Sequence, residues 1–128
     1  MKSVRILIVE DELILAKALE ICLEDLGYQV AATVTTGEEA LLKAEEIRPD
    51  LILMDIVLAG EMDGIEAAGR IKSGLRIPFM YMTAYGDKET LERATIAEPL
   101  AYLVKPIREH ELDSAIKKAF FTAERRDP

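Results

Sequence analysis

The feature that most constrains this chain is an alternation of two periodicities. Five short apolar runs, Val4–Val9 (VRILIV), Val30–Val34 (VAATV), Leu51–Met54 (LILM), Phe79–Met82 (FMYM) and Ala101–Val104 (AYLV), are separated by longer segments with helical spacing. In the first segment Ala16, Leu19, Leu23 and Leu26 recur at three and four residues, and Gly27 follows as a stop. The second opens at Thr36, lines one face with Ala40, Leu41, Ala44 and Ile47, and ends at Pro49. The spacing predicts further helices over 64–72 (Ile65, Ala68, Ile71), 88–96 (stopping before Pro99) and 109–123 (Leu112, Ala115, Ile116, Ala119). Five strands alternating with five helices imply a parallel α/β sheet with helices on both faces. The unbroken apolar character of VRILIV and LILM suits strands buried on both sides. Residues 1–123 read as one domain and Glu124–Pro128 as a C-terminal tail.

Composition narrows the function classes. Of 128 residues, 50% are hydrophobic and 31% charged, enough apolar material for one self-sufficient core. No apolar run approaches the roughly 20 residues of a membrane-spanning helix, so no membrane partner is expected. The start MKSVRILIVEDE lacks the apolar stretch and cleavage site of a signal peptide. The single Cys22 cannot form an internal disulfide, which makes a cytoplasmic location the expectation and packing within the first helix the expected role of its thiol. A net charge of −8 opposes direct nucleic-acid binding, which needs basic residues to displace phosphate counterions. Solubility explains most of the 24 acidic residues.

It does not explain those at the strand ends. In open parallel sheets ligands bind outside the carboxyl ends of the strands. There the sequence sets Glu10, Asp11 and Glu12 after the first run, Asp55 after the third, Thr83 and Ala84 after the fourth, and Lys105 and Pro106 after the fifth. Taken singly, Asp11 could be a helix cap, Glu12 a first-turn charge, Thr83 a turn former and Lys105 a surface charge. Asp55 resists such a reading, because it ends a buried run where an uncompensated carboxylate is costly. A divalent cation relieves both the burial and the repulsion between neighbouring carboxylates. Mg²⁺ prefers oxygen ligands, one or two of them carboxylates, with waters and a phosphate. Glu10, Asp11 and Asp55 supply the carboxylates, Lys105 a positive point charge and Thr83 a hydroxyl donor. A carboxylate nucleophile, a metal, a lysine and a hydroxyl make an aspartyl-phosphate site.

The segments ILIVEDE (6–12), PDLILMDI (49–56), MDGIEA (62–67), MTAY (82–85) and YLVKPI (102–107) resemble, in order and spacing, the response-regulator receiver domains of two-component signalling. The resemblance covers nearly the whole chain. It implies a flavodoxin-like, five-stranded parallel sheet in the order 2-1-3-4-5. It also implies that Glu10 and Asp11 are the acidic pair for Mg²⁺, that Asp55 is the phosphoacceptor and that Val57 lends the metal a backbone carbonyl. Thr83 and Lys105 match the phosphate-sensing hydroxyl and lysine, and Tyr102 the aromatic switch whose ring swings inward when Thr83 moves. Glu12, beyond the pair, is expected to support the first helix. The implied partners are a histidine kinase or phosphotransfer protein. Self-association or an output partner is expected on the face of the fourth helix, fifth strand and fifth helix. The implied function is a phosphorylation-dependent switch and not an enzyme in the turnover sense.

Two departures stand out. Family members commonly carry a proline four residues after the phosphoacceptor and a glycine eight after it; here the stretch Ile56–Gly64 lacks the proline and is one residue longer. Gly60 is expected to absorb the extra residue through a backbone conformation other residues resist. Val57 is apolar where many relatives are polar, and Tyr85, two residues after Thr83, could add bulk or a hydroxyl on the other side. Three other classes fit less well. Aspartyl-phosphate phosphatases typically place a second Asp at the position of Val57. Dinucleotide-binding domains need a glycine-rich turn where this chain reads Glu10-Asp11-Glu12. Interaction modules on the receiver fold usually lose part of the acidic set kept here.

Overall fold

The computed structural model describes residues 4–58, 60, 62–84 and 88–122. Its elements follow the alternation: β1 (Arg5–Val9), α1 (Leu13–Asp25), β2 (Gln29–Val34), α2 (Gly37–Ile47), β3 (Leu51–Asp55), α3 (Gly64–Gly74), β4 (Phe79–Thr83), α4 (Lys88–Thr95), β5 (Tyr102–Val104) and α5 (Glu109–Lys117). The strands form one parallel sheet in the order β2-β1-β3-β4-β5.

Period-2 alternation sorts the strand residues onto two faces. Leu7, Val9, Ile52, Met54, Phe79 and Tyr81 join Ala40, Ala44, Ala67, Ala68, Ile71 and Ala94 on the side of α2, α3 and α4. Ile6, Ile8, Leu51, Leu53, Met80, Met82 and Leu103 join Leu19, Leu23, Leu112 and Ile116 on the side of α1 and α5. Every residue of β3 and β4 is buried, which is why these runs read as continuous rather than alternating. Cys22 is half-buried against the second cluster, and burial pushes its thiol pKa up.

Local chemistry sets the helix starts. Thr36 caps α2 by accepting a hydrogen bond from the Glu39 amide at 3.1 Å, and Asp63 caps α3 by accepting one from the Glu66 amide at 2.8 Å. Gly60 has φ +95°, the conformation expected of it in the lengthened β3–α3 connection.

The differences from expectation lie at the ends. Asp55 and Thr83 are the last ladder residues of β3 and β4, where the apolar pattern stopped one residue sooner. The fifth helix is α-helical only to Lys117 and continues as a π-helical turn, Lys118–Thr122. That wider turn keeps Ala119 and Phe120 against the second cluster. The expected tail, 124–128, lies outside the described residues, as do residue 123 and Tyr85.

Candidate phosphoacceptor site

Register alone brings the polar residues together. Val9 pairs with Met54, so Glu10 and Asp55, each one residue further on, become neighbours. Asp55 pairs with Met82 and Thr83 with Val104, and the Lys105 amide donates to the Thr83 carbonyl at 2.8 Å. The ends of β1, β3, β4 and β5 therefore meet in one cleft, at the point where strand order reverses around β1.

Asp55 is 4% exposed and Glu10 wholly buried. Lys105 Nζ lies 2.9 Å from Asp55 Oδ2 and 2.8 Å from Glu10 Oε1, one ammonium between two carboxylates. The second oxygen of each carboxylate is held by backbone: Asp55 Oδ1 accepts from the Val57 amide at 3.1 Å, and Glu10 Oε2 from the Glu12 amide at 3.0 Å. Asp11 is half-buried at the rim. Glu10, Asp11 and Asp55 each offer an oxygen within 4.8 Å of the others.

Two buried carboxylates share one positive charge, and the excess falls on Asp55. Burial and the nearby Glu10 carboxylate outweigh the pull of Lys105, pushing the Asp55 pKa up to about 6. At Glu10 burial acts the same way, but the Lys105 ion pair and the Glu12 amide overcome it and hold the carboxyl below its ordinary range. Burial alone would lower the Lys105 ammonium; its two carboxylate partners raise it instead. A group of three carboxylates that a single lysine underneutralises has the chemistry of a divalent-cation site.

Glu12 is the residue before α1 and makes no side-chain cap; its backbone amide serves the site by fixing Glu10. Thr83 is buried at the end of β4. Tyr102 stands at the start of β5 with its ring partly at the surface. The Val57 side chain is 75% exposed while its amide faces Asp55. One residue has a site role that motif reading passed over. A Cβ on Gly64 would collide with the Asp55 backbone carbonyl, and the Gly64 amide donates to the Ile56 carbonyl at 3.0 Å. The start of α3 can thus sit directly against the chain that carries Asp55. The glycine in MDGIEA was the available signal, but the contact it permits is invisible without the fold.

Residues 6–117 match the family model of the response regulator receiver domain, and the chain belongs to that family. The transcriptional regulatory protein PdtaR of Mycobacterium tuberculosis is 38% identical over 115 residues, an alignment covering 90% of this chain and 56% of PdtaR. The chain thus spans little more than half the length of that relative. Among solved structures, the signal receiver domain of a modulated diguanylate cyclase from Desulfovibrio desulfuricans G20 matches with a TM-score of 0.90 at 38% identity, covering 98% of this chain and 100% of that one. The receiver domain of the sensor histidine kinase PA1611 from Pseudomonas aeruginosa PAO1, which has a magnesium ion coordinated in its active-site cleft, matches with a TM-score of 0.82 at 33% identity, covering 91% of this chain and 97% of that one.

Proposed function

We propose that Asp55 accepts a phosphoryl group from the phosphohistidine of a histidine kinase or phosphotransfer protein, and that the product drives a conformational switch. The observation that carries this is the buried Asp55 carboxylate, bonded to Lys105 at 2.9 Å and grouped with the oxygens of Glu10 and Asp11. Glu10, Asp11, Asp55 and the backbone carbonyl of Val57 would hold Mg²⁺, which supplies positive charge to offset the carboxylates and the phosphoryl oxygens when bound. A carboxylate oxygen of Asp55 attacks phosphorus, the P–N bond breaks, and the imidazole leaves with the electron pair. The hydrogen bond from the Val57 amide orients the nucleophile. Lys105, already 2.9 Å from that carboxylate, transfers its ion pair to the new phosphoryl oxygens. Thr83 reads the same charge by donating its hydroxyl, and Tyr102 follows by turning inward.

The protein in this account is a phosphoacceptor that assists its own phosphorylation and dephosphorylation rather than an enzyme with a separate substrate. The exposed apolar side chains of Leu13, Ile14 and Val57 beside the site favour a protein donor. Exposed Leu100 and Val104 favour an output or homodimer contact on the face of α4, β5 and α5. No described helix is long and apolar enough to cross a membrane; the cytoplasm remains the proposed setting, with a lone reduced thiol. The test is incubation with acetyl phosphate and Mg²⁺. A mass gain of one phosphoryl group, abolished by a chelator, supports the proposal; no gain at saturating donor and metal contradicts it.

A further inference from the structure

Tyr102 is held by two contacts that involve neither Thr83 nor the phosphoacceptor. Its hydroxyl lies 2.8 Å from Thr95 Oγ1, on the last residue of α4. Its ring leans against that of Tyr81, with centroids 5.8 Å apart and planes at 31°. Tyr81 is wholly buried, packs edge-on against Phe79, and its hydroxyl has no hydrogen-bond partner among the described residues. Toward the core Tyr102 therefore meets the aromatic ring of Tyr81, and among the described residues its hydroxyl bonds toward α4.

A ring that turns inward swings its phenol oxygen through several ångströms and gives up the bond to Thr95. The geometry points to Thr95 as a positioning residue that holds Tyr102 outward, so that α4 as well as the phosphoryl group sets how often the ring turns in. The inference rests on Tyr102 being the switch proposed above. The bond joins two hydroxyls near the surface, where water competes for both, so it biases the ring without locking it. Coupling of this kind is reciprocal: a partner that draws α4 away from β5 frees the ring, and a ring turned inward loosens the end of α4. Thr95 lies on α4, away from Glu10, Asp11, Asp55 and Lys105, so its substitution leaves the reacting groups in place.

The test uses the full chain labelled with fluorotyrosine, with the Tyr102 resonance assigned by Tyr102→Phe among the four tyrosines. Thr95→Val keeps the side-chain shape and removes the hydroxyl; Thr95→Ser keeps the hydroxyl. Without phosphodonor, Thr95→Val is expected to move the Tyr102 signal along the line toward its phosphorylated wild-type position, an about two- to fivefold gain of the inward ring for one weak hydrogen bond. Thr95→Ser is expected to stay at the wild-type position. Because phosphorylation favours the conformer it fits, Thr95→Val should also gain phosphoryl from acetyl phosphate faster by a similar factor. A Tyr102 signal or phosphorylation rate unchanged in Thr95→Val overturns the inference, as does a Thr95→Ser shift as large as that of Thr95→Val. A wild-type Tyr102 signal that ignores phosphorylation overturns instead the switch role itself, and the inference with it.

Discussion

Val57 is predicted to set how long the proposed aspartyl phosphate lasts. Its amide is pinned to Asp55 Oδ1 at 3.1 Å, so its side chain starts beside the reacting carboxylate, yet that side chain is 75% exposed. Hydrolysis needs a water aligned for attack on phosphorus as the acyl P–O bond breaks and the Asp55 carboxylate leaves. Valine has no donor or acceptor to orient such a water, and its branched methyls shield the approach. Val57→Asn adds both kinds of polar group at an exposed position and disturbs no packing. One orienting hydrogen bond is worth about 1 kcal/mol net. Since 1.36 kcal/mol is tenfold in rate, the variant should lose phosphate roughly three- to tenfold faster. The assay is loss of the phosphoryl mass over time after donor removal, at fixed Mg²⁺, for both proteins. Equal decay, or slower decay in Val57→Asn, would refute the role given to this side chain and leave Asp55 untouched.

Three further outcomes are expected. Asp11→Asn should weaken Mg²⁺ binding and slow phosphorylation together; a titration with unchanged affinity would remove Asp11 from the metal site. Thr83→Ala should still accept phosphate but leave the Tyr102 signal unmoved, and a wild-type response in that variant would break the proposed link between them. Asp55→Asn should stabilise the metal-free fold at neutral pH. The folded carboxyl is pushed from 3.8 up to about 6, so wild-type stability falls as pH rises through that window. The variant's advantage should therefore be absent below about pH 4 and full above about pH 6. At 1.36 kcal/mol per pK unit its ceiling is roughly 3 kcal/mol, reduced by the loss of one Lys105 partner. Denaturant melts in chelator across that range check it, and a gain that does not grow with pH would contradict the electrostatic picture.

The alternation of short apolar runs with helical segments made the fold legible, because both sheet faces are covered and the strands read as unbroken hydrophobic stretches. The acids at the site were legible for a related reason: Asp55 ends a run with no exposed face, so its charge needed an explanation. The way Lys105 bridges Glu10 and Asp55 was not legible, since it depends on the registers of three strand pairs. Periodicity also cannot show that Glu10 is wholly buried while Asp11 sits at the rim. Nor does it show that Glu12 acts through its amide. The Thr95–Tyr102 contact joins residues on different elements with no pattern between them, and the collision that requires glycine at position 64 appears only once α3 is set against β3.

Asp55 itself is proposed to carry the phosphoryl group. Brief exposure to acetyl phosphate and Mg²⁺, followed by borohydride reduction, converts a phosphorylated aspartate to homoserine, which peptide mass mapping locates. Homoserine is expected at position 55 in the wild type, and no phosphoryl mass gain in Asp55→Asn under the same exposure. Homoserine at another acidic position, or labelling of Asp55→Asn at the wild-type rate, would contradict it.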